Sequence, residues 1–186
     1  MTTQEFEHIA QKMRPRLIEL GEGFFGDRSP AEDAAQEALL KHQPGTKMQD
    51  AELKDVSNVV HSLSEYLGKG YVLMHFWNSR QPNESALPQM RSIYDAYHQK
   101  GLQVISIALN SDNYPPAWRE EVSKQHLTWT QLWAGDGNGV GGLQSIIAQA
   151  YGIHALPEVV LLDPEGTVVA TPSSVEELEP VLRNLK

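Results

Sequence analysis

The strongest constraint on the fold is a pair of seven-residue, largely apolar runs at residues 71–77 and 102–108. Runs of this kind, without polar alternation, are typical of strands buried on both faces of a sheet. A helical pattern at 84–99 separates them. The apolar positions of this helix are expected to face inward, and they are Leu87, Met90, Ile93, Tyr94 and Tyr97. The alternation of strand and helix predicts an α/β fold.

Shorter elements extend this pattern on both sides. The predicted strands are 51–56, 58–63, 127–133, 159–162 and 167–170, and the predicted helices are 116–124, 143–151 and a last one from Ser174. Asp163-Pro164-Glu165-Gly166 is a favourable hairpin turn between the last two strands. Ser174 and Glu177 have the spacing of a capping box, and Pro180 should bend the last helix. We expect a mixed central sheet with helices on both faces.

The first part of the chain has a different character. Residues 3–42 show helical periodicity interrupted by glycines, with Ser29 and Pro30 suited to begin a second helix. This pattern predicts an N-terminal α-helical hairpin that ends before Gln43-Pro44-Gly45. The expected organisation is a helical segment at 1–43, a linker at 44–49 and an α/β domain at 50–186.

The sequence contains no cysteine. Disulfides, thiolate metal sites and cysteine nucleophiles are therefore excluded. The seven histidines show no metal-ligand spacing, so we expect neither a metal nor a cofactor.

Charge and hydropathy limit the classes of partner that the protein can bind and the cellular compartments in which we expect it. The formal net charge of −9 argues against direct DNA binding, which needs clustered lysines and arginines. No apolar run reaches the length of a transmembrane helix, and the N-terminus lacks a secretory signal pattern. We expect a soluble, cytoplasmic protein without a membrane partner.

Three stretches of the α/β part match a known family in order. They are SLSEYLGKGYVLMHFW, LPQMRSIYDAYHQKGLQVISIALNSD and AQAYGIHALPEVVLLDPEGTVV. Together they resemble the TlpA/ResA-like, AhpC/TSA-like branch of thiol-disulfide oxidoreductases. The resemblance implies a thioredoxin fold over about residues 50–186.

The resemblance also locates what this chain lacks. In the family, a Cys-x-x-Cys motif follows a strand that ends in Phe-Trp, as Phe76-Trp77 does here. The two cysteine positions fall on Gln81 and Glu84 when counted from Trp77, or on Arg80 and Asn83 when counted back from Pro88. Neither pair can form a thiolate, and disulfide exchange needs one. The resemblance therefore implies a redox-inactive relative.

A second family feature is present. Leu156-Pro157 corresponds to the family's cis-proline, beside which an extended peptide adds like a strand. We therefore expect a binding module for a protein or peptide, at His154, Ala155, Leu156 and Pro157 together with the loop from Trp77 to Glu84. A turn that only shapes the end of the sheet is the alternative.

Other chemistry at this loop is a further alternative. Glu84 or His75 could act as an acid or base, and a pocket uniting Glu84, Arg80 and His154 would favour an enzyme. However, a carboxylate at a helix N-terminus is a poor general acid. A histidine in the middle of a central strand is more often buried and hydrogen-bonded than catalytic.

Residues 3–41 resemble the start of region 2 of an extracytoplasmic-function sigma factor of the sigma-70 family. The matching residues include Glu32, Asp33, Gln36 and Glu37, and the resemblance implies contact with RNA polymerase. The pattern stops after Lys41, before the parts that read a promoter. The first 43 residues hold eight acids and five bases, which does not suit DNA. A hairpin that only packs on the α/β domain is the other interpretation.

Overall fold

The computed structural model describes residues 44–82, 86–110, 114–135, 141–172 and 175–183. The N-terminal hairpin predicted for 1–43 lies outside these residues, as do the candidate polymerase contacts Glu32, Asp33, Gln36 and Glu37. Within the described part, no helix combines the length and apolar character needed to cross a membrane.

Seven strands form one mixed sheet. They are β1 (Glu52–Asp55), β2 (Val60–Ser62), β3 (Val72–Trp77), β4 (Gln103–Ala108), β5 (Thr130–Trp133), β6 (Glu158–Leu162) and β7 (Val168–Ala170). Their order across the sheet is β2-β1-β5-β4-β3-β6-β7. The central strands β3, β4 and β5 are parallel, and each of the outer strands pairs antiparallel with its neighbours. The two apolar runs are thus the adjacent strands β3 and β4, as the sequence predicts.

The helices follow the predicted order, and the first and third are shorter than predicted, whereas the second begins one residue earlier than predicted. They are α1 (Leu87–Tyr97), α2 (Pro115–Lys124), α3 (Ile146–Tyr151) and α4 (Glu179–Leu182), with 3-10 turns at Leu63–Tyr66, His98–Lys100, Gly142–Gln144 and Val175–Leu178. Ser145 lies between the Gly142–Gln144 turn and α3. Its side chain accepts a hydrogen bond from the Ala148 N–H and so caps the start of α3. Pro180 lies in the first turn of α4, where its missing N–H costs nothing, so it begins a helical turn instead of bending a longer helix. Ser174 lies outside the described residues.

Two apolar clusters pack on opposite faces of the sheet. One joins α1, α2 and the C-terminal turns to Leu73, Trp77 and Val104. The other joins α3 to Met74, Phe76 and Ile105. Because alternate residues of β3 and β4 enter different clusters, both faces of these strands are covered. Tyr94 is half-buried, whereas the other four predicted core positions of α1 are buried.

Residues 44–49, for which the sequence predicts a linker, run along the outer edge of β7. We call them the edge segment. The Gly45 N–H donates to the Val168 carbonyl (2.8 Å), and the Val168 N–H donates to the Thr46 carbonyl (2.8 Å). The Tyr151 hydroxyl on α3 donates to the carbonyl of Gln49. These bonds make the edge segment part of the folded domain.

Candidate functional site

The chain leaves β3 through a tight polar turn. Trp77 is fully buried at the end of the strand, whereas Arg80 and Gln81 are exposed. The Gln81 N–H donates to the Asn78 carbonyl (3.0 Å), and the Arg80 N–H donates to the Asn78 side-chain oxygen (2.9 Å). Asn78 therefore holds the first half of the loop for which the sequence predicts the two missing cysteine positions. Asn83 and Glu84 lie outside the described residues.

Ser79 fixes this turn to the neighbouring strand. Its N–H donates to Oδ1 of Asn110 (3.0 Å), and Nδ2 of Asn110 donates to the Ser79 hydroxyl (2.7 Å). Both residues are buried. In addition, the Leu109 N–H donates to the Trp77 carbonyl (2.8 Å). The carboxyl ends of β3 and β4 are therefore joined by main-chain and side-chain bonds.

The predicted cis-proline is present. The Leu156–Pro157 peptide bond is cis, and β6 begins at the next residue. His154, Ala155 and Pro157 are exposed, while Leu156 packs against the cluster that includes α3. Among the described residues, the main-chain groups of Ala155 and Leu156 form no hydrogen bond. This loop therefore presents main-chain donors and acceptors to solvent.

Strand register brings the two predicted segments together. Phe76 of β3 pairs with Glu158 of β6. Because the two strands are antiparallel, the turn that follows Trp77 leaves the sheet beside the chain that arrives through Pro157. The loop at Arg80 and Gln81 and the loop at 154–157 thus occupy the same end of the sheet.

Glu158 is a candidate site residue that the sequence analysis missed. Burial of its carboxyl raises its pKa to about 7, and a hydrogen bond from the His154 N–H partly opposes this shift. The signal in the sequence is an acid placed directly between a proline and the apolar run 159–162. The sequence alone does not show that Glu158 lies within the sheet. That follows only from the pairing of Glu158 with Phe76.

His75 is part of the core. It is fully buried, and its Nδ1 lies 3.0 Å from the Ser106 hydroxyl on the adjacent strand. The Trp129 indole N–H donates to the same hydroxyl (2.7 Å). This is the buried, hydrogen-bonded histidine that its position in a central strand predicts, and no substrate can reach it there.

A metal site is not evident in the described ranges. No group of three or more histidine or acidic side chains in them is arranged to hold a metal ion.

Sequence comparison identifies similar proteins. A model of the AhpC/TSA family matches residues 44–171. The thiol-disulfide oxidoreductase ResA of Bacillus thuringiensis (strain Al Hakam) is 28% identical over 170 residues, which cover 89% of this chain and 86% of that protein. The ResA of Geobacillus thermodenitrificans (strain NG80-2) is 27% identical over 125 residues, 67% of this chain and 66% of its own. Residues 44–186 make up only about three quarters of the chain. An alignment that covers 89% of the chain therefore includes part of residues 1–43.

Solved structures agree on the fold. A thiol-disulfide oxidoreductase from Bacteroides fragilis NCTC 9343 superimposes with a TM-score of 0.65 and 26% identity, covering 76% of this chain and 100% of that one. A thiol:disulfide interchange protein from Bacteroides sp. gives a TM-score of 0.63 at 23% identity, with 78% and 94% coverage. The predicted thioredoxin fold is therefore confirmed.

Proposed function

The chain belongs to the AhpC/TSA family, and we propose that it is a member that binds an extended polypeptide without exchanging disulfides. One observation carries the proposal: the chain has no cysteine, yet it keeps the exposed cis-proline loop beside the former cysteine loop.

The loss of thiol chemistry follows from the composition. Disulfide exchange proceeds through attack by a thiolate and a mixed-disulfide intermediate. Without cysteine, no side chain of this protein can form either species. The side chains described at this loop do not replace the sulfur. Asn78, Arg80 and Gln81 carry amides and a guanidinium, which are poor nucleophiles. The Ser79 hydroxyl is buried and accepts a hydrogen bond from the Asn110 amide, which is not a base.

The cis-proline loop supports the binding half of the proposal. An extended peptide gains affinity on a sheet by pairing with exposed main-chain groups. Ala155 and Leu156 offer such groups next to the start of β6, and the loop has no regular secondary structure of its own. The half-buried Leu156 side chain anchors the loop to the core, which keeps these groups in place.

The redox half is tested by an insulin reduction assay with dithiothreitol. The protein is expected to give the same rate as dithiothreitol alone. An established thioredoxin in parallel shows that the assay works. Turnover above the blank would refute the loss of activity.

The binding half is tested with a permanently unfolded polypeptide, carboxymethylated α-lactalbumin, followed by calorimetry. Ala155→Pro removes a main-chain N–H from the loop, whereas Ala155→Ser keeps it at the same position. We expect saturable binding by the wild type and by Ala155→Ser, and binding at least about tenfold weaker for Ala155→Pro. Thermal melting confirms that both variants fold. Absence of saturable binding, or equal affinity of the two variants, contradicts this half.

A further inference from the structure

A second concave surface lies beside β5 and β1, whereas the cis-proline loop lies beside β3 and β6. It is a cavity of about 340 Å³ between β1, the carboxyl end of β5 and the beginning of α2. This volume falls within the range of small-molecule sites. Trp118 and Trp133 border the cavity, their ring centroids lie 5.4 Å apart, and both side chains are buried.

Two cationic side chains line this cavity. Lys54 pairs in register with Trp133, so both project from the same face of the sheet. Arg119 projects from the first turns of α2, and one of its terminal nitrogens donates to the Asn58 side-chain oxygen (2.5 Å). The positive end of the α2 dipole lies at Pro115, which also borders the cavity.

The guanidinium of Arg119 has hydrogen-bonding capacity that the described residues do not satisfy. It is half-buried, its Nε is buried and has no hydrogen-bond partner, and it forms no salt bridge in the part of the chain that the structure describes. Buried donors of this kind are normally paired.

Two acids also line the cavity, but one is already engaged. Asp55 accepts hydrogen bonds from the Ser57 and Val59 N–H groups (both 2.8 Å), and its other oxygen lies 3.4 Å from His61. Glu52 is exposed, as is Lys54. The two acids and the two bases of the lining balance in formal charge, so the feature that favours an anion is the unpaired Nε of Arg119 rather than a net positive charge.

We propose that this cavity binds a small organic oxyanion, a carboxylate or phosphate group on a short apolar body. The planar guanidinium of Arg119 matches such groups with two parallel hydrogen bonds, and Lys54 adds a second positive charge. Trp118 is fully buried and Trp133 is 4% exposed, so the lining offers little apolar surface and the oxyanion group carries most of the expected affinity. Because the whole chain has a formal net charge of −9, its overall field repels anions. Saturable anion binding must therefore come from a local site.

The test is calorimetric titration of the full chain with acetate, succinate or inorganic phosphate, at an ionic strength held constant with sodium chloride. Saturable binding of at least one of these anions is expected. A preference for phosphate or for a carboxylate identifies the bound group. Arg119→Gln should bind about tenfold more weakly, and Lys54→Gln should also lose affinity. Lys69→Gln removes an exposed lysine that does not line the cavity, and it should bind like the wild type.

Several results overturn the proposal. They are the absence of saturation by all three anions, an effect that chloride reproduces at equal ionic strength, and equal affinities of Arg119→Gln and Lys69→Gln. Arg119→Lys keeps the charge but loses the planar fork, so a weaker but measurable affinity is expected if Arg119→Gln does not fold.

Discussion

Ser79 and Asn110 form a reciprocal pair of buried hydrogen bonds between residues 31 positions apart in sequence. The Asn110 side chain donates to the Ser79 hydroxyl and accepts from the Ser79 main chain. The pair positions the turn that follows β3, so its removal should affect stability and the geometry of this turn together.

Replacement of Asn110 should therefore destabilise the protein. Asn110→Ala leaves the buried Ser79 N–H and hydroxyl without their partner, at a cost of about 1–3 kcal/mol in the free energy of unfolding. Ser79→Ala removes only the side-chain bond and should cost less. Urea denaturation measures both, with Gln99→Ala at an exposed position as the control. Equal effects of Asn110→Ala and Gln99→Ala would show that the pair contributes nothing.

Ser106 should be similarly sensitive, because two buried ring nitrogens depend on its hydroxyl. Ser106→Ala removes the acceptor of the Trp129 N–H and the partner of His75 Nδ1. A loss of about 2–4 kcal/mol is expected in urea denaturation, together with a change in tryptophan fluorescence near Trp129. Ser123→Ala on the exposed side of α2 should change the stability by less than about 0.5 kcal/mol. A comparable loss in the two variants would contradict the assigned bonds.

Glu158 should make stability depend on pH. Its pKa is about 7 in the folded protein, against an ordinary value of 4.5. The folded state therefore favours the protonated carboxyl. This contribution is fully present below about pH 4.5 and is lost as the pH rises through 7. A difference of this size corresponds to a change on the order of 3 kcal/mol.

Glu158→Gln isolates this contribution. The variant cannot ionise, so it should gain stability relative to the wild type between pH 5 and pH 8. Glu120→Gln, at an exposed position on α2, should follow the wild type at both pH values. The difference between wild type and variant cancels the histidines, which titrate in the same range. If Glu158→Gln keeps the full pH dependence of the wild type, the dependence has another source.

Introducing two cysteines should give redox activity at one of the two pairs of positions that the sequence suggests. The candidates are the double variants Gln81→Cys with Glu84→Cys, and Arg80→Cys with Asn83→Cys. The family resemblance implies that the first thiolate of one pair is stabilised by the dipole of the helix that follows, which is α1 here. Insulin reduction measures the recovery, and Gln81→Cys alone should be inactive because it lacks a second thiol. Inactivity of both double variants would show that the loop has lost more than its sulfur atoms.

The sequence predicts the parts of this fold that depend on local periodicity. The runs at 71–77 and 102–108 become β3 and β4 because an apolar strand has few stable locations other than the centre of a sheet. Asp163 to Gly166 forms the expected turn, in which the Asp163 carboxylate accepts from the Thr167 N–H (2.7 Å). The cis-proline follows from a family resemblance, since a single proline does not reveal its isomer.

Features that depend on register or distant pairing are not predictable in this way. The partnership of Ser79 with Asn110 and the burial of Glu158 require the positions of β4 and β6 relative to β3. The cavity at Lys54 and Arg119 requires β1 to pair with β5, although these strands are far apart in sequence. Residues 44–49 have the composition of a linker, and only their hydrogen bonds to the hairpin of β6 and β7 show that they belong to the domain.

The edge segment has a consequence for association. The outer strand of a sheet offers unpaired N–H and C=O groups to any other extended chain, which is a common route to aggregation. Here the Gly45, Thr46 and Met48 main chains occupy such groups on β7 and the adjoining turn. The edge segment thus covers the β7 edge of the sheet. A shortened chain that begins after Gln49 would expose that edge, and with it a template for unwanted polymerisation.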